Sequence, residues 1–188
     1  MTSRSDALVL IGPMGAGKTS IGRRVAKTLG RPFFDTDIAV VREHGPIETL
    51  FAEHGEAHFR AMERSAVREG LATGGVVSLG GGAVLHPDTR ADLAAHRVVL
   101  LTVTPAVVAN RVRESARPLL QDPDDDPMTR WTQIYDQRRP IYEELADLVI
   151  DTSSGPLQLV VDAIVEWALD GEEPEDGWDP LTDRREPK

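Results

Sequence analysis

The sequence predicts an α/β fold, a three-layer α/β/α sandwich built on a five-stranded parallel sheet. Two observations carry this expectation. Five short apolar runs, of the kind buried on both faces of a parallel sheet, alternate with segments of helical periodicity. A glycine-rich turn, Gly12-Pro13-Met14-Gly15-Ala16-Gly17-Lys18-Thr19, joins the first run to the first helical segment. Strands linked through short helical crossovers run parallel.

The turn matches G-x-x-x-x-G-K-[ST], the phosphate-binding P-loop. Its glycines free the backbone to turn so that successive N–H groups converge on phosphate oxygens. The helix behind it adds a positive N-terminal end. Gly15, Ala16, Gly17, Lys18, Thr19 and Ser20 are therefore the candidate contacts to a bound phosphate chain, that of ATP in the family resembled below. Lys18 offers a compact charge to the β/γ-phosphates, and Thr19 offers a hydroxyl to Mg²⁺. A bare glycine turn is the competing reading, and the strand and helix that flank the Lys-Thr pair argue against it.

Taken in order, Ala7–Ile11 is the first strand, continuous and apolar. Ile21, Val25 and Leu29 then recur at helical spacing, with Gly30 as C-cap and Pro32 barring continuation. Pro32-Phe33-Phe34 is a second strand running into Asp35-Thr36-Asp37. Ile38–Leu71 is helix-rich and punctuated by Gly45-Pro46 and Gly55. Ile47, Leu50 and Phe51 form one apolar face there; Phe59, Met62 and Ala66 form another. Val76–Leu79 is a third strand closed by Gly80-Gly81-Gly82, Pro87–Ala95 a helix, and Val98–Val103 a fourth strand. Thr104-Pro105 has the N-cap and N1 signature of the next helix. Arg117–Pro127, with three prolines and an aspartate run, reads as a mobile loop. A helix over Met128–Leu145, a strand at Leu148–Ile150 and a helix over Leu157–Leu169 complete the set. From Asp170 onward eight acids face three bases, which predicts a disordered acidic tail over 171–188. The expected organisation is one domain over 1–170, with a substrate-binding region at 36–72 and a lid at 113–128.

Composition narrows the function. The 188 residues carry a formal charge of −10, which disfavours a nucleic-acid partner held through phosphates. A local basic pocket still accommodates anionic small molecules. With no cysteine, thiolate metal sites, disulfides and a cysteine nucleophile are excluded. The five histidines show no metal-site spacing and read as surface or packing residues. No apolar stretch reaches the ~20 residues of a membrane span. Met1–Asp6 lacks a signal-peptide core. A cytoplasmic protein without membrane partners is expected.

Four further constellations carry chemistry. Asp35-x-Asp37 follows a strand that ends beside the P-loop, and strand alternation aims the two carboxylates the same way. One carboxylate would serve Mg²⁺ and the other an alcohol proton; the competing role is a helix N-cap. Phe59-Arg60-x-x-Glu63 sets a guanidinium and a carboxylate on one helical face, as a carboxylate clamp or as a solvated ion pair. Gly80-Gly81-Gly82 permits close backbone approach to a ligand, or simply turns the chain. Arg117 opens the acidic loop, as a lid arginine for the γ-phosphate or as part of a flexible surface loop. Arg138-Arg139-Pro140-x-Tyr142 follows on the next helix.

Together these segments resemble the shikimate kinases, of the nucleoside-monophosphate-kinase-like P-loop fold. The motifs that carry the resemblance are Gly12–Thr19, Asp35-Thr36-Asp37, Gly55-Glu56 with Phe59-Arg60 and Glu63, Gly80–Gly82, Arg117-Pro118-Leu119-Leu120 and Arg138-x-Pro140-x-Tyr142. The resemblance implies sheet order 2-3-1-4-5 and transfer of the ATP γ-phosphate to the 3-hydroxyl of shikimate. It assigns Lys18, Asp37 and Arg117 to catalysis, and Thr19 and Asp35 to Mg²⁺. It assigns Asp37, Arg60, Glu63, Gly81 and Arg138 to shikimate, with Arg138 preferred over Arg139 from its spacing to Pro140 and Tyr142. A monomer is expected, with ATP and shikimate as its small-molecule partners. The chain departs from the family where Thr152-Ser153-Ser154 lacks an arginine that some relatives place near adenine. The competing functions are another small-molecule kinase, for gluconate or a nucleotide, and a regulatory protein with a dead kinase site.

Overall fold

The structure is a computed structural model that describes residues 6–112 and 126–170. Its centre is a five-stranded sheet in the order β2-β3-β1-β4-β5, every pairing parallel. The strands are β1 (Leu8–Ile11), β2 (Phe33–Asp35), β3 (Val76–Ser78), β4 (Arg97–Thr102) and β5 (Leu148–Asp151). β1 lies at the centre of the sheet and all four of its residues are buried, as a strand covered on both faces requires.

Two apolar layers sandwich the sheet. One gathers Leu8, Leu10, Val99 and Leu101 with Ile21 and Val25 of α1 (Lys18–Leu29), Val161 and Ile164 of α7 (Leu157–Asp170) and Trp131 of α6 (Pro127–Leu145). The other gathers Val9, Ile11, Val77 and Leu100 with Val67 and Leu71 of α3 (Ile47–Ala72), Leu93 of α4 (Pro87–Leu93) and Tyr142 of α6. α2 (Thr36–His44) and α3 pack on each other through Ala39, Val40, Leu50, Phe59 and Ala66. The two apolar faces expected within 38–71 thus share one cluster, because α3 bends at Gly55, whose φ of 78° and ψ of 172° are non-helical. A side chain in that conformation would be strained, so glycine sits at the bend.

Local expectations met two corrections. β2 ends at Asp35 and α2 begins at Thr36, so Asp37 lies in a helical first turn rather than two positions along a strand. Strand alternation therefore does not align the two carboxylates. Pro127 starts α6 at its first turn, with Asp126 as N-cap accepting from the Met128 and Thr129 amides. The rest of the proposed lid, including Arg117, and the tail over 171–188 lie outside the described residues. α5 (Pro105–Val112) begins at Pro105 as expected. Two histidines serve the backbone: His96 Nδ1 accepts from the Ala7 amide and His86 Nδ1 from the Asp88 amide.

Candidate active site

The P-loop stands at the carboxyl end of β1, between α1, α5 and α6. At Gly12, φ is 135°, and a Cβ there would drive into the Leu101 carbonyl oxygen. Gly15 lies against Val108 of α5. Lys18 Nζ donates to the carbonyls of Gly12 and Pro13 at 2.8 and 2.9 Å, which brings the ammonium back across the loop. Two distant side chains hold the loop from outside. Trp131 Nε1 donates to the Met14 carbonyl at 3.0 Å, and Thr152 Oγ1 lies 2.9 Å from the Ala16 carbonyl. Ser20 is exposed on the first turn of α1.

Asp35 does two jobs at once. Its Oδ1 caps α2 by accepting from the Asp37 and Ile38 amides at 3.0 and 3.1 Å. Its Oδ2 accepts from Thr19 Oγ1 at 2.7 Å. The helix cap considered for this residue is thus made by one oxygen, and the other pairs with the P-loop threonine. Between the two aspartates, the buried Thr36 hydroxyl accepts from the Gly80 amide at 2.9 Å and pins α2 to the end of β3.

Asp37 stands against Gly80. A Cβ on Gly80 would lie 2.5 Å from both Asp37 Oδ1 and Glu63 Oε1, so the two carboxylates close on that glycine from two helices. Gly82 is crossed by the Arg60 guanidinium, again where a Cβ would sit. Gly81 has ordinary room, with nothing nearer than 3.6 Å. The triple glycine is therefore a floor on which charged side chains rest, a use that neither a turn nor direct ligand approach had suggested.

Arg60 is held by two carboxylates, Glu63 Oε2 at 2.6 Å and Glu56 Oε1 at 2.9 Å. Glu63 is 3% exposed, and burial raises its pKa above the ordinary carboxylate value, against the lowering effect of Arg60. The Arg60 pKa is also raised: burial pulls it down, but Glu63 and Glu56 together outweigh that pull. The two shifts are compatible, since Glu63 is the more deeply buried partner. The Arg60–Glu63 pair was legible from its spacing; Glu56, one turn earlier, was not assigned as a second carboxylate although its i,i+4 spacing announces it.

The two adjacent arginines of α6 have opposite fates. Arg138 is 8% exposed, near Gly81 and Tyr142; Arg139 is exposed and paired with Glu143 at 2.6 Å. The Tyr142 hydroxyl donates to the Gly81 carbonyl, and burial pushes its pKa up to about 12, so it remains a donor at any ordinary pH. A cleft between the P-loop and α6 is lined by Pro13, Met14, Trp131, Tyr135, Arg138 and Tyr142. Among the described residues no cluster of three acidic or histidine side chains could hold a metal.

The arrangement puts a phosphate-binding loop, a hydroxyl–carboxylate pair, one buried and one half-buried guanidinium group around one end of a sheet. The family model described as "Shikimate kinase" matches residues 14–169. The shikimate kinase of Thermobifida fusca is 49% identical over 156 residues, 81% of this chain and 88% of that protein. A structure titled as shikimate kinase from Acinetobacter baumannii in complex with shikimate superposes with a TM-score of 0.80 at 32% identity, covering 90% of this chain and 96% of that one. A gluconokinase from Sinorhizobium meliloti shares the fold at 19% identity and a TM-score of 0.59, covering 88% of this chain and 93% of that one. By sequence and by architecture, the chain belongs to the shikimate kinase family.

Proposed function

We infer that the chain transfers the γ-phosphate of ATP to the 3-hydroxyl of shikimate, giving shikimate 3-phosphate and ADP. The observation that carries this reading is the pair of arginines at the Gly80–Gly82 floor, the half-buried Arg60 over Gly82 and the buried Arg138 near Gly81, with Asp37 against Gly80. Planar guanidinium groups fit a carboxylate, which shikimate carries; gluconate carries one too, and the family match favours shikimate between them. Arg60 and Arg138 would hold it, with Glu63 fixing Arg60. A carboxylate accepts hydrogen bonds, so a backbone contact from Gly81 to it would come from the Gly81 N–H.

In the reaction the substrate oxygen bonds to Pγ, the bond from Pγ to the bridging oxygen breaks, and ADP leaves. The hydroxyl proton passes to the Asp37 carboxylate. A carboxylate is a weak base toward an alcohol, so Asp37 chiefly orients the hydroxyl and takes the proton late. Lys18 lies against the β/γ-phosphates once it exchanges its carbonyl partners for them. Thr19 and Asp35 fit Mg²⁺, being a hydroxyl and a carboxylate 2.7 Å apart beside the loop; bound there, the ion would neutralise phosphate charge. Arg117, outside the described residues, is the proposed closing charge on the γ-phosphate. We place the activity in a single cytoplasmic domain over 1–170, monomeric and without nucleic-acid or membrane partners. Among the described residues no helix is long and apolar enough to cross a membrane.

ADP release from Mg²⁺-ATP in the presence of shikimate, gluconate or a nucleoside monophosphate tests the reading. Turnover dependent on shikimate is expected. Turnover with gluconate or a nucleotide in its place, or none with any acceptor, overturns it.

A further inference from the structure

We propose that Trp131 and Thr152 are positioning residues for the nucleotide phosphates, each turning one P-loop peptide so that its N–H faces the bound anion. The argument begins with the peptide bond. In a trans peptide the C=O and the next N–H lie in one plane and point in opposite directions, and the described chain contains no cis bond. Whatever holds the carbonyl therefore aims the amide.

Two P-loop carbonyls are held this way. The Met14 carbonyl accepts from the Trp131 indole N–H, so the Gly15 amide points away from Trp131. The Ala16 carbonyl accepts from Thr152, so the Gly17 amide points away from β5. Both donors are buried: Trp131 is 1% exposed and Thr152 is 8% exposed. Loss of the Thr152 hydroxyl leaves the buried Ala16 carbonyl unpaired, and loss of the indole N–H releases the carbonyl of the half-buried Met14.

Thr152 has one hydroxyl proton and two carbonyls at 2.9 Å, those of Ala16 and Thr102. The Thr102 carbonyl already accepts from the Thr152 amide at 2.9 Å. The proton is thus best spent on Ala16. Trp131 reaches the loop from α6 and Thr152 from the end of β5, 117 and 136 residues along the chain from the carbonyls they hold. The loop's own glycines permit its curvature; these two side chains select, among the curvatures glycine allows, the one with its amides turned inward.

The proposal rests on ATP being the donor and not on the identity of the acceptor. Calorimetric titration of the full chain with ADP and, separately, with shikimate tests it in Thr152→Val, Thr152→Ser and Trp131→Phe. Thr152→Val, nearly isosteric but without the hydroxyl, is expected to weaken ADP about tenfold and leave shikimate within twofold. Thr152→Ser restores ADP binding. Trp131→Phe, which keeps a ring and loses the N–H, follows Thr152→Val. Unchanged ADP affinity in Thr152→Val overturns the proposal, as does an equal loss for both ligands or a Thr152→Ser variant as weak as valine. Should Trp131→Phe fail to fold, the Thr152 pair decides alone. If shikimate binds no variant, wild type included, the acceptor assignment fails while the ADP measurements still decide, with the melting temperature separating local from global damage.

Discussion

Thr19 Oγ1 donates to Asp35 Oδ2 at 2.7 Å, which sets the hydroxyl behind the P-loop lysine directly against the carboxylate that ends β2. Because Asp35 Oδ1 simultaneously caps α2, its charge and its capping role can be separated. Asp35→Asn keeps a good cap and removes the charge, so its melting temperature stays near wild type while the Mg²⁺ needed for half-maximal rate rises several-fold. Asp35→Ala loses both, adding about 1 kcal/mol of destabilisation. Thermal melts and initial rates over a Mg²⁺ series check the pair.

Asp37→Asn is expected to reduce kcat by about 100-fold or more, within the range for loss of a general base. The shikimate dissociation constant changes by less than about threefold, since Arg60 and Arg138 remain. An effect confined to KM would contradict the role given to Asp37.

The glycine floor makes a position-specific prediction. Gly80→Ala pushes on Asp37 and Glu63, and Gly82→Ala pushes on Arg60, whereas a methyl on Gly81 meets nothing within 3.6 Å. Alanine at 80 or 82 is therefore expected to raise the shikimate KM about tenfold or more, and alanine at 81 by less than about threefold, costing roughly 1.4 kcal/mol per tenfold. Steady-state kinetics on the three variants reads this out. Equal sensitivity at all three would show that flexibility, not space, is what the glycines supply.

Arg138→Met and Arg139→Met separate the two arginines. Truncating the buried Arg138 is expected to raise the shikimate KM by two orders of magnitude, the scale of a lost charged hydrogen bond. Truncating the exposed Arg139, paired with Glu143, stays within about twofold. Parallel kinetics on both variants provides the check.

Glu63 gives the stability a pH dependence. Its folded pKa lies above the ordinary glutamate value near ~4.3, chiefly from burial. A carboxyl with a raised folded pKa contributes stability that is full below the unfolded value and is lost as pH rises through the folded value. The stability of wild type minus that of Glu63→Gln is thus expected to shrink from below pH 4 toward neutrality. Urea denaturation at several pH values measures it; a difference that grows with pH would contradict the assignment. Arg60 stays charged throughout, so its raised value adds no slope in this range.

The fold was legible because its signals are local. Apolar runs mark the strands, Gly30 adopts the left-handed C-cap expected of it, and Pro105 opens α5. The choice of Arg138 over Arg139 came from spacing to Pro140 and Tyr142, and burial separates the two residues in the same direction. The helical placement of Asp37 belongs to the competing N-cap reading, which a strand of three residues has too little pattern to separate from strand alternation. Trp131 and Thr152 escaped notice for a different reason. Their partners are backbone carbonyls more than a hundred residues away, and a carbonyl leaves no residue-type signature.

Asp35, Thr36 and Asp37 work as a ruler. One end faces Thr19, the middle is fastened to Gly80, and the other end faces the glycine floor and Glu63. Two peptide units limit the distance between those ends: the Asp35 and Asp37 Cα atoms can stand no more than about 7 Å apart. Helices shift around that limit, and the arginines with them, but the donor half and the acceptor half of the site cannot separate beyond it.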